Sequence, residues 1–247
     1  MYLLIDEKGR KYLVKGTADV HTNYGVIRAE EFSERKAGSV IESNKGRKFF
    51  IINPDIIDFM EKAKRGPQAM TLKDCSLIAG YTGIHSESRV VVAGTGSGIL
   101  SMFLANIVAP ERLISYEIRD DFAEIARKNF EKAGIKNIRL RLKDIYNGIE
   151  EKDLDLIVLD LPEPWKVIKH AKGSLKAGGY LVSYSPSIEQ SKRFFDELDG
   201  FISETIECLL RNWDMKVVRP YSRMLGHTGF ITFARWMGED ETQENTS

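Results

Sequence analysis

The stretch VVVAGTGSGIL, residues 90–100, combines the pattern of a buried strand with a glycine-rich turn. A short apolar run ends at Ala93, three glycines alternate with small residues, and a second apolar run begins at Ile99. Glycine has no Cβ atom, so it adopts positive φ values and lets another group approach the backbone closely. A helix behind such a turn offers unpaired N–H groups. The stretch predicts a strand, a ligand-binding turn and a helix; a tight turn without a ligand is the alternative.

Around that stretch, apolar strands alternate with amphipathic helices. Strands are predicted at residues 112–118, 137–144, 154–162, 180–186, 201–211 and 227–235, and helices at 71–84, 119–134, 165–179 and 188–198. This alternation is typical of a parallel sheet covered on both faces, and such sheets bind ligands beyond the carboxyl ends of their strands. The residues that follow each strand are therefore the candidate site residues.

The chain before this region has a different texture. Residues 2–15 read as a hairpin, and further short strands are predicted at 25–32, 38–43 and 48–54. A helix follows at 54–66, because Pro54 suits a first turn and Gly66 ends it. We predict a small β-rich domain at 1–53, a linker helix at 54–70, the main domain at 71–237 and an acidic, disordered tail at 238–247.

Composition excludes several classes of protein. The chain has 36 basic and 36 acidic residues, which argues against a strongly basic nucleic-acid binder, although the body without its four-acid tail carries +4. There is no apolar run of about 18 residues and no signal-peptide pattern, so we expect no membrane span. Cys75 and Cys208 lack metal-ligand spacing, which favours two buried, reduced thiols, no metal site and a cytoplasmic location.

An acidic residue ends each of three successive predicted strands after the glycine turn. Glu117 lies about 20 residues beyond the glycines, where a carboxylate can accept both hydroxyls of a ribose. Asp144 ends the next strand and can face an adenine amino group, and Asp160 ends the strand after that. Each acid alone is more simply a solvated loop residue or a helix cap. Their repetition at the same sheet edge favours a ligand site.

The spacing of the glycines narrows the choice of ligand. Gly94, Gly96 and Gly98 give G-x-G-x-G, whereas a dinucleotide site calls for G-x-G-x-x-G and a pyrophosphate. Acidic side chains suit a cationic or neutral ligand better, and S-adenosylmethionine has a sulfonium and no phosphate. AGTGSG followed by YEI resembles the class I methyltransferases, whose strand order is similar to the one predicted here. We therefore expect an α/β fold with a seven-stranded Rossmann-like sheet and bound S-adenosylmethionine.

The segment DLPEPW, residues 160–165, is the second informative stretch. Its two prolines stiffen the loop after a strand and hold Asp160 at the mouth of the expected cofactor site. A carboxylate and the aromatic Trp165 suit a planar ring that bears an exocyclic amine. A proline-stiffened turn with a buried tryptophan is the alternative.

Residues 1–237 as a whole resemble the tRNA adenine-N1 methyltransferase family, which modifies adenosine 58 of the T loop and, in archaeal members, adenosine 57. The resemblance rests on RGPQAMTLKD, AGTGSG, SYEIRDDFAEIARKNF, LKDIYNGI, LDLPEPW, LKAGGYLVSYSP and RPYSRMLGHTGFITFAR, and on HTNYGVIRAEEF in the small first domain. The proline loop and the last of these segments are more specific than the glycine turn, which is general to methyltransferases.

The resemblance implies roles for individual residues. Asp160 is expected to be the catalytic residue, beside the sulfonium methyl and gripping the target base. Cofactor-binding residues are expected to be Gly94, Gly96, Ser97, Gly98, Ile99, Glu117, Asp144 and Asp160. The family's homotetramer implies that tRNA is held partly by a neighbouring subunit. One departure is Thr71-Leu72, where many members carry an aromatic residue or histidine followed by proline to stack on adenine, so Trp165 is predicted to stack instead.

Residues that contact tRNA are less sharply indicated. Arg219 and Arg223 and the basic clusters 44–48 and 62–65 are candidates, with an ordinary solvated surface as the alternative for each. His227 is predicted to be structural. Competing functions are methylation of a protein or small molecule on the same fold, and a non-catalytic tRNA-binding subunit. A nicotinamide oxidoreductase is the least favoured of these functions.

Overall fold

The computed structural model describes residues 1–32, 35–64, 66 and 70–238. The chain divides into one compact unit at Met1–Ala63 and a second from Lys64 onward. The predicted domain boundaries at 53 and 70 stay predictions. The predicted disordered tail, apart from Gly238, lies outside the described residues, as do Arg65 and residues 67–69 of the predicted linker.

The first unit is built on a four-stranded antiparallel sheet. Its strands lie in the order β2 (Lys11–Val14), β1 (Tyr2–Asp6), β6 (Lys48–Ile52), β5 (Val40–Glu42). Its core contains the buried side chains of Leu4, Phe49 and Ile51. A 3-10 helix at Ala29–Phe32 replaces the second half of the strand predicted at 25–32, which was wrong there. The remaining elements of the first unit are β3 (Val20–Thr22), β4 (Gly25–Ile27) and α1 (Ile56–Glu61).

The second unit alternates strands and helices as the sequence predicts. Its elements are α2 (Leu72–Thr82), β7 (Val90–Ala93), α3 (Ile99–Val108), β8 (Leu113–Glu117), α4 (Asp120–Ala133), β9 (Ile138–Leu142), β10 (Leu154–Leu159), α5 (Ile168–Lys172), β11 (Leu175–Ser185), α6 (Ile188–Asp196), β12 (Phe201–Ile206), β13 (Trp213–Asp214), β14 (Arg219–Pro220) and β15 (Phe230–Trp236). Short 3-10 helices lie at Ile145–Asn147 and Pro164–Val167.

The main sheet has seven strands in the order β12-β15-β11-β10-β7-β8-β9. β15 runs antiparallel to β11 and β12, and the strands from β11 to β9 are parallel. The side chains of β7 are all buried, as a central strand covered on both faces requires. This sheet confirms the predicted fold class, including the late antiparallel strand.

The register of three central strands determines where the site lies. Leu159 pairs with Ala93, and Ala93 pairs with Tyr116. The residues next to these three, Asp160, Gly94 and Glu117, are therefore neighbours at the carboxyl edge. From β7 the chain continues to β8 and β9 on one side and then crosses to β10 on the other. This edge is therefore a topological switch point, where open α/β sheets bind ligands.

The helix predicted at 165–179 is wrong in its second half. The helical segment ends at Lys172, and β11 begins at Leu175, which pairs with Leu154. A Cβ atom on Gly179 would lie 2.7 Å from the carbonyl oxygen of Leu154, so glycine permits this close strand pairing. Pairing with β10 therefore overrides the local helical pattern.

Both cysteines are free, and only one matches the prediction of burial. Cys75 is buried in α2, whereas Cys208 is half-buried.

Among the described residues, no helix is long and apolar enough to cross a bilayer. Within the same residues, no three His, Cys, Asp or Glu side chains are placed to hold a metal ion.

Candidate active site

The glycine turn after β7 has the left-handed backbone that its sequence predicts. Gly94, Gly96 and Gly98 have φ values of 82°, 54° and 81°. Added Cβ atoms would collide with the Asp160 carbonyl oxygen at Gly94 and with the Phe130 ring at Gly98. At Gly96 no atom lies within 4 Å of that position, so the turn is open to a ligand there.

Glu117 is buried next to this turn and braces it. One carboxylate oxygen accepts the Gly96 N–H at 2.8 Å, and the other accepts the N–H groups of Ile118 and Arg119. These bonds fix the carboxylate at the end of β8. Its predicted contact with ribose hydroxyls stays a prediction, which the remaining lone pairs permit.

Asp160 follows β10 at the carboxyl edge of the sheet and is partly accessible to solvent. Its N–H donates to the Ala93 carbonyl at 2.9 Å, which fixes the backbone beside the glycine turn. Burial raises the pKa of its carboxyl group to about 7, and the charge of Glu117 adds to the rise. Among the described groups, no cation offsets this rise.

Two side chains hold the proline loop that follows Asp160. The side-chain amide of Gln190, on α6, donates to the carbonyl oxygens of Leu161 and Pro162, both at 2.8 Å. The hydroxyl of Tyr146 accepts the N–H of Glu163 at 3.1 Å. The loop is therefore stiffened by hydrogen bonds as well as by its prolines. Nothing local in the sequence points to Gln190 or Tyr146.

Trp165 does not present an open face in this structure. Its indole packs against the core of the sheet, and the Arg193 guanidinium lies 3.9 Å from the ring centroid. This geometry matches the alternative of a packed tryptophan in a stiff turn. Stacking of Trp165 on a base stays a prediction that would require Arg193 to move.

The remaining predicted cofactor residues lie around the same edge. Asp144 caps the 3-10 helix Ile145–Asn147 by accepting the Tyr146 N–H at 2.9 Å, so it also has the helix-cap role that was weighed as an alternative.

Gly98 and Ile99 begin α3, and the Ser97 carbonyl accepts from the Asn129 side chain at 2.8 Å. Asn129, a buried amide on α4, was missed; a polar residue on the apolar face of a predicted helix was the available signal.

A buried polar cluster joins α2 to the segment before β15. Asp74 is 1% exposed and accepts from Thr71 at 2.7 Å, from Lys73 at 2.5 Å and from Thr228 at 3.2 Å. Thr71 is also the N-cap of α2, which explains a threonine where many relatives are expected to carry an aromatic residue. Two of the segments that carried the resemblance, TLKD and GHTGF, therefore meet here.

Tyr184, near the end of β11, is a further aromatic residue that was not singled out from the sequence. Its hydroxyl donates to the Thr228 carbonyl at 2.6 Å, and its ring lies so close to Gly229 that a Cβ atom there would be 2.5 Å from it. Burial raises the pKa of Tyr184, and the nearby charges of Asp74 and Asp160 add to the rise. The ring is half-buried in the neighbourhood of Asp160.

Known proteins that are similar to this chain identify its family. The family described as the tRNA methyltransferase complex GCD14 subunit matches residues 63–219, which is more than half of the chain. This chain belongs to the GCD14 family. The Methanocaldococcus jannaschii protein named tRNA (adenine(57)-N(1)/adenine(58)-N(1))-methyltransferase TrmI is 36% identical, over 94% of both chains.

Two solved structures resemble this GCD14-family protein over nearly their whole length. A Thermotoga maritima protein described as an S-adenosylmethionine-dependent O-methyltransferase has a TM-score of 0.89 and 32% identity, covering 97% of this chain and 94% of that one. The tRNA (m1A58) methyltransferase TrmI from Aquifex aeolicus has a TM-score of 0.81 and 23% identity, covering 95% of both chains. The second likeness shows the fold alone.

The site of this GCD14-family protein fits S-adenosylmethionine. The opening at Gly96 admits a ligand next to the backbone, and Glu117 and Asp160 place two carboxyl groups around it. A sulfonium would be attracted to these two carboxyl groups, whereas a pyrophosphate would be repelled by them. The residues present therefore favour a cationic adenosine ligand over a dinucleotide.

The predicted tRNA-contacting arginines of this GCD14-family protein are exposed. Arg219 lies in the short strand β14, and Arg223 lies in the loop after it. Their contact with tRNA stays a prediction. His227 bonds Glu207 through Nδ1 at 2.7 Å and the Pro186 carbonyl through Nε2 at 2.9 Å. With both ring nitrogens engaged, His227 has the geometry of a structural residue.

Proposed function

We propose that this protein transfers the methyl group of S-adenosylmethionine to N1 of adenosine in the T loop of tRNA, at position 58 and also at position 57. The observation that carries this proposal is the position of Asp160, whose backbone is fixed at the switch point beside the open glycine turn. The relative named for both positions shares 36% of its residues over 94% of its length, which supports the same substrate.

The proposed chemistry needs placement more than proton transfer. When bound, S-adenosylmethionine supplies a methyl group already activated by the sulfonium, so N1 of adenine gains the methyl as the C–S electrons stay with sulfur. N1 has a free lone pair, so no base is required before attack. Holding N1 in line with the methyl group contributes roughly 7–11 kcal/mol toward the barrier in well-oriented reactions.

Asp160 provides that placement in our proposal. Its carboxylate accepts the N–H of the adenine N6 amino group, which directs the neighbouring N1 toward the donor. The same carboxylate stabilises the positive charge that develops on the ring as N1 is methylated. Gly94, Gly96, Ser97, Gly98, Ile99, Glu117 and Asp144 hold the cofactor.

Tyr184 is our proposed wall for the target base. The position expected to stack on adenine is occupied by the helix cap Thr71, and the face of Trp165 is covered by Arg193. The Tyr184 ring is held through its hydroxyl, and the nearby charge of Asp160 contributes to raising the pKa of that hydroxyl. An extracted adenine has a π-face that stacks on such a ring.

One competing function has a specific observation in its favour. The Thermotoga maritima structure, 32% identical over 97% of this chain, is described as an O-methyltransferase, which would imply a hydroxyl acceptor. A hydroxyl must lose its proton during transfer, and Asp160 at the carboxyl edge is a candidate for that role. A non-catalytic tRNA-binding subunit has no such support, because the glycine turn and all three strand-end acids are intact.

The test is mass spectrometry of tRNA after incubation with the protein and donor. We expect 1-methyladenosine at nucleotides 57 and 58, and no product at position 58 in a transcript that carries guanosine there. Transfer of labelled methyl groups only to a small hydroxyl compound, with unmodified tRNA, would favour the competing function.

We also propose a homotetramer in the cytoplasm, in line with the sequence resemblance and with the two free thiols. The segment from β12 to β15 supports self-association, because it exposes apolar side chains. Trp213, Met215, Val218 and Leu225 are 51%, 74%, 69% and 65% exposed. A monomer in light scattering would contradict this part of the proposal.

A further inference from the structure

One end of the sheet in the first unit concentrates positive charge. The pairing of Asp6 with Phe49 brings the β1–β2 turn, residues 6–10, and the β5–β6 turn, residues 43–48, to the same end. These turns contain two acids, Asp6 and Glu7. Their five basic residues are all exposed: Lys8, Arg10, Lys45, Arg47 and Lys48.

A third turn, between β3 and β4, is fixed onto this end. The Asn44 backbone donates to the Val26 carbonyl at 2.9 Å, and its side-chain oxygen accepts the Val26 N–H at 3.0 Å. The Ser43 hydroxyl donates to the Tyr24 carbonyl at 2.7 Å. A Cβ atom on Gly25 would lie 2.3 Å from the Asn44 side chain, so glycine permits the contact. Tyr24 is therefore held rigidly among the two basic turns.

Three cations surround the ring of Tyr24. The Lys8 ammonium lies 5.6 Å from the ring centroid, and the guanidinium carbons of Arg10 and Arg47 lie at 5.4 Å and 5.3 Å. Each distance is within the range of a cation–π interaction. The ring thus gathers three like charges that repel one another.

Neighbouring acids do little to neutralise these charges. Glu7 pairs with Arg47 at 3.3 Å, and both side chains are half exposed. One oxygen of the Asp6 carboxylate accepts the backbone N–H groups of Lys8 and Arg10, at 2.9 Å and 2.8 Å, rather than their side chains. The surface therefore carries a fixed excess of positive charge, which a polyanion would relieve.

We propose that the three turns form an RNA-binding surface, on which Lys8, Arg10 and Arg47 contact backbone phosphates of the substrate tRNA. This inference rests on the proposed function and extends the candidate cluster 44–48 to a tRNA-binding surface that includes the β1–β2 turn. Arginine binds phosphate through two parallel N–H donors, and a nucleic-acid backbone repeats its charges along a surface. A protein partner would require an apolar or aromatic centre, whereas Tyr24 is the one aromatic residue in these turns.

The test compares two variants that lose the same charge. The triple variant Lys8→Gln, Arg10→Gln, Arg47→Gln removes the proposed contacts. The control Lys15→Gln, Arg35→Gln, Lys36→Gln removes three exposed cations of the same unit outside the three turns. Dissociation constants for tRNA are measured from 50 to 300 mM salt, with thermal unfolding to verify the fold.

We expect the triple variant to bind tRNA about tenfold more weakly at 150 mM salt, with a salt slope reduced by about two to three. The control should bind within about twofold of wild type. Tyr24→Ala should weaken binding while Tyr24→Phe retains it, because phenylalanine keeps the ring that gathers the cations.

Equal tRNA affinities and salt slopes for the triple variant and its control would overturn this inference, even with wild-type methylation of tRNA intact. A triple variant that lost binding to an acidic protein but bound tRNA as tightly as the wild type would overturn the inference as well. A wild-type protein that neither binds nor methylates tRNA would overturn both this inference and the proposed function, and so distinguishes the two failures.

Discussion

The backbone carbonyl oxygen of Asp160 lies 2.0 Å from the point where a Cβ atom on Gly94 would sit. Two central strands end immediately before these residues. The contact is possible only because Gly94 has no side chain. The same contact closes the switch point of the sheet and places the Asp160 carboxyl group beside the glycine turn. Both the fold and the proposed chemistry therefore depend on this close contact between the backbones of Gly94 and Asp160.

The first prediction separates packing from ligand space within the turn. Gly94→Ala should destabilise the fold strongly and abolish methylation, because its Cβ atom meets a backbone carbonyl at a φ of 82°. Gly96→Ala should fold with a smaller loss of about 1–2 kcal/mol, from its positive φ alone. It should still bind S-adenosylmethionine at least about tenfold more weakly, because the new methyl enters the opening that admits the ligand.

Thermal unfolding and calorimetric titration of the donor check both variants. Wild-type donor affinity in Gly96→Ala would contradict the assignment of the opening. Equal stability of the two variants would contradict the packing argument at Gly94.

The second prediction concerns the pH dependence of donor binding. The Asp160 carboxyl has its pKa raised to about 7, so it is mostly protonated at pH 6 and mostly ionised at pH 8. Affinity for the cationic S-adenosylmethionine should rise about tenfold over that range, because only the carboxylate attracts the sulfonium. S-adenosylhomocysteine, which is neutral at sulfur, should show a much smaller change.

Other groups that face Asp160 do not produce this dependence. Burial raises the pKa of the Cys75 thiol to about 12, and it also raises the pKa of Tyr184, so both stay neutral between pH 6 and 8. Asp74 and Glu117 contribute negative charge nearby. Titration calorimetry with both ligands tests the prediction, and Asp160→Asn should remove the difference. Parallel pH profiles for the two ligands would contradict it.

The third prediction is that ionisation of Asp160 lowers the free energy of unfolding in the absence of ligand. A carboxyl whose pKa is higher in the folded state holds its proton more tightly there. The stability that this proton contributes is therefore greatest below pH 4 and is lost as pH rises to 7. With a pKa of about 7, the loss is about 2–4 kcal/mol after allowance for partial solvent contact.

Asp160→Asn should therefore stabilise the ligand-free protein at pH 8 and have little effect at pH 4. Denaturant unfolding at several pH values checks this, with S-adenosylmethionine left out. A stability difference between wild type and variant that does not change with pH would contradict the raised pKa.

The fourth prediction concerns the buried cluster around Asp74. Asp74→Ala should lower the free energy of unfolding by about 3 kcal/mol or more, because it leaves the Lys73 ammonium, only 13% exposed, without its carboxylate. Thr228→Val should cost about 1 kcal/mol through its lost hydroxyl. The exposed pair of Glu124 and Lys128 is the matched control, and Glu124→Ala should cost less than about 0.5 kcal/mol. Equal losses for Asp74→Ala and Glu124→Ala in denaturant unfolding would show that the cluster does not hold α2 in place.

The strand ends of the site could be predicted from sequence because their signals are local. β7 and β10 are short apolar runs bounded by turn residues, so Gly94 and Asp160 could be assigned to the ligand-binding edge before their contact was known. The helix predicted at 165–179 failed because pairing of Leu175 with Leu154 is a long-range interaction. Local periodicity carries no information about that partner.

The supporting side chains of the site could not be predicted for the same reason. Asp74 and Thr228 are 154 residues apart, and Tyr184 is held by a carbonyl 44 residues away. Trp165 was chosen for stacking from its position in the loop, but whether its face is open depends on Arg193 from α6. Sequence spacing placed the candidate acids at the strand ends, whereas the packing of Trp165 and Tyr184 depends on residues distant in the chain.

The most direct test is the single-turnover rate of methyl transfer to tRNA by Asp160→Ala, at saturating donor and tRNA. We expect the variant to fold, to retain measurable donor affinity and to lose at least about a hundredfold in rate, as when a preorganised electrostatic group is removed. A wild-type rate at nucleotide 58 in this variant would contradict the claim that Asp160 positions the adenine.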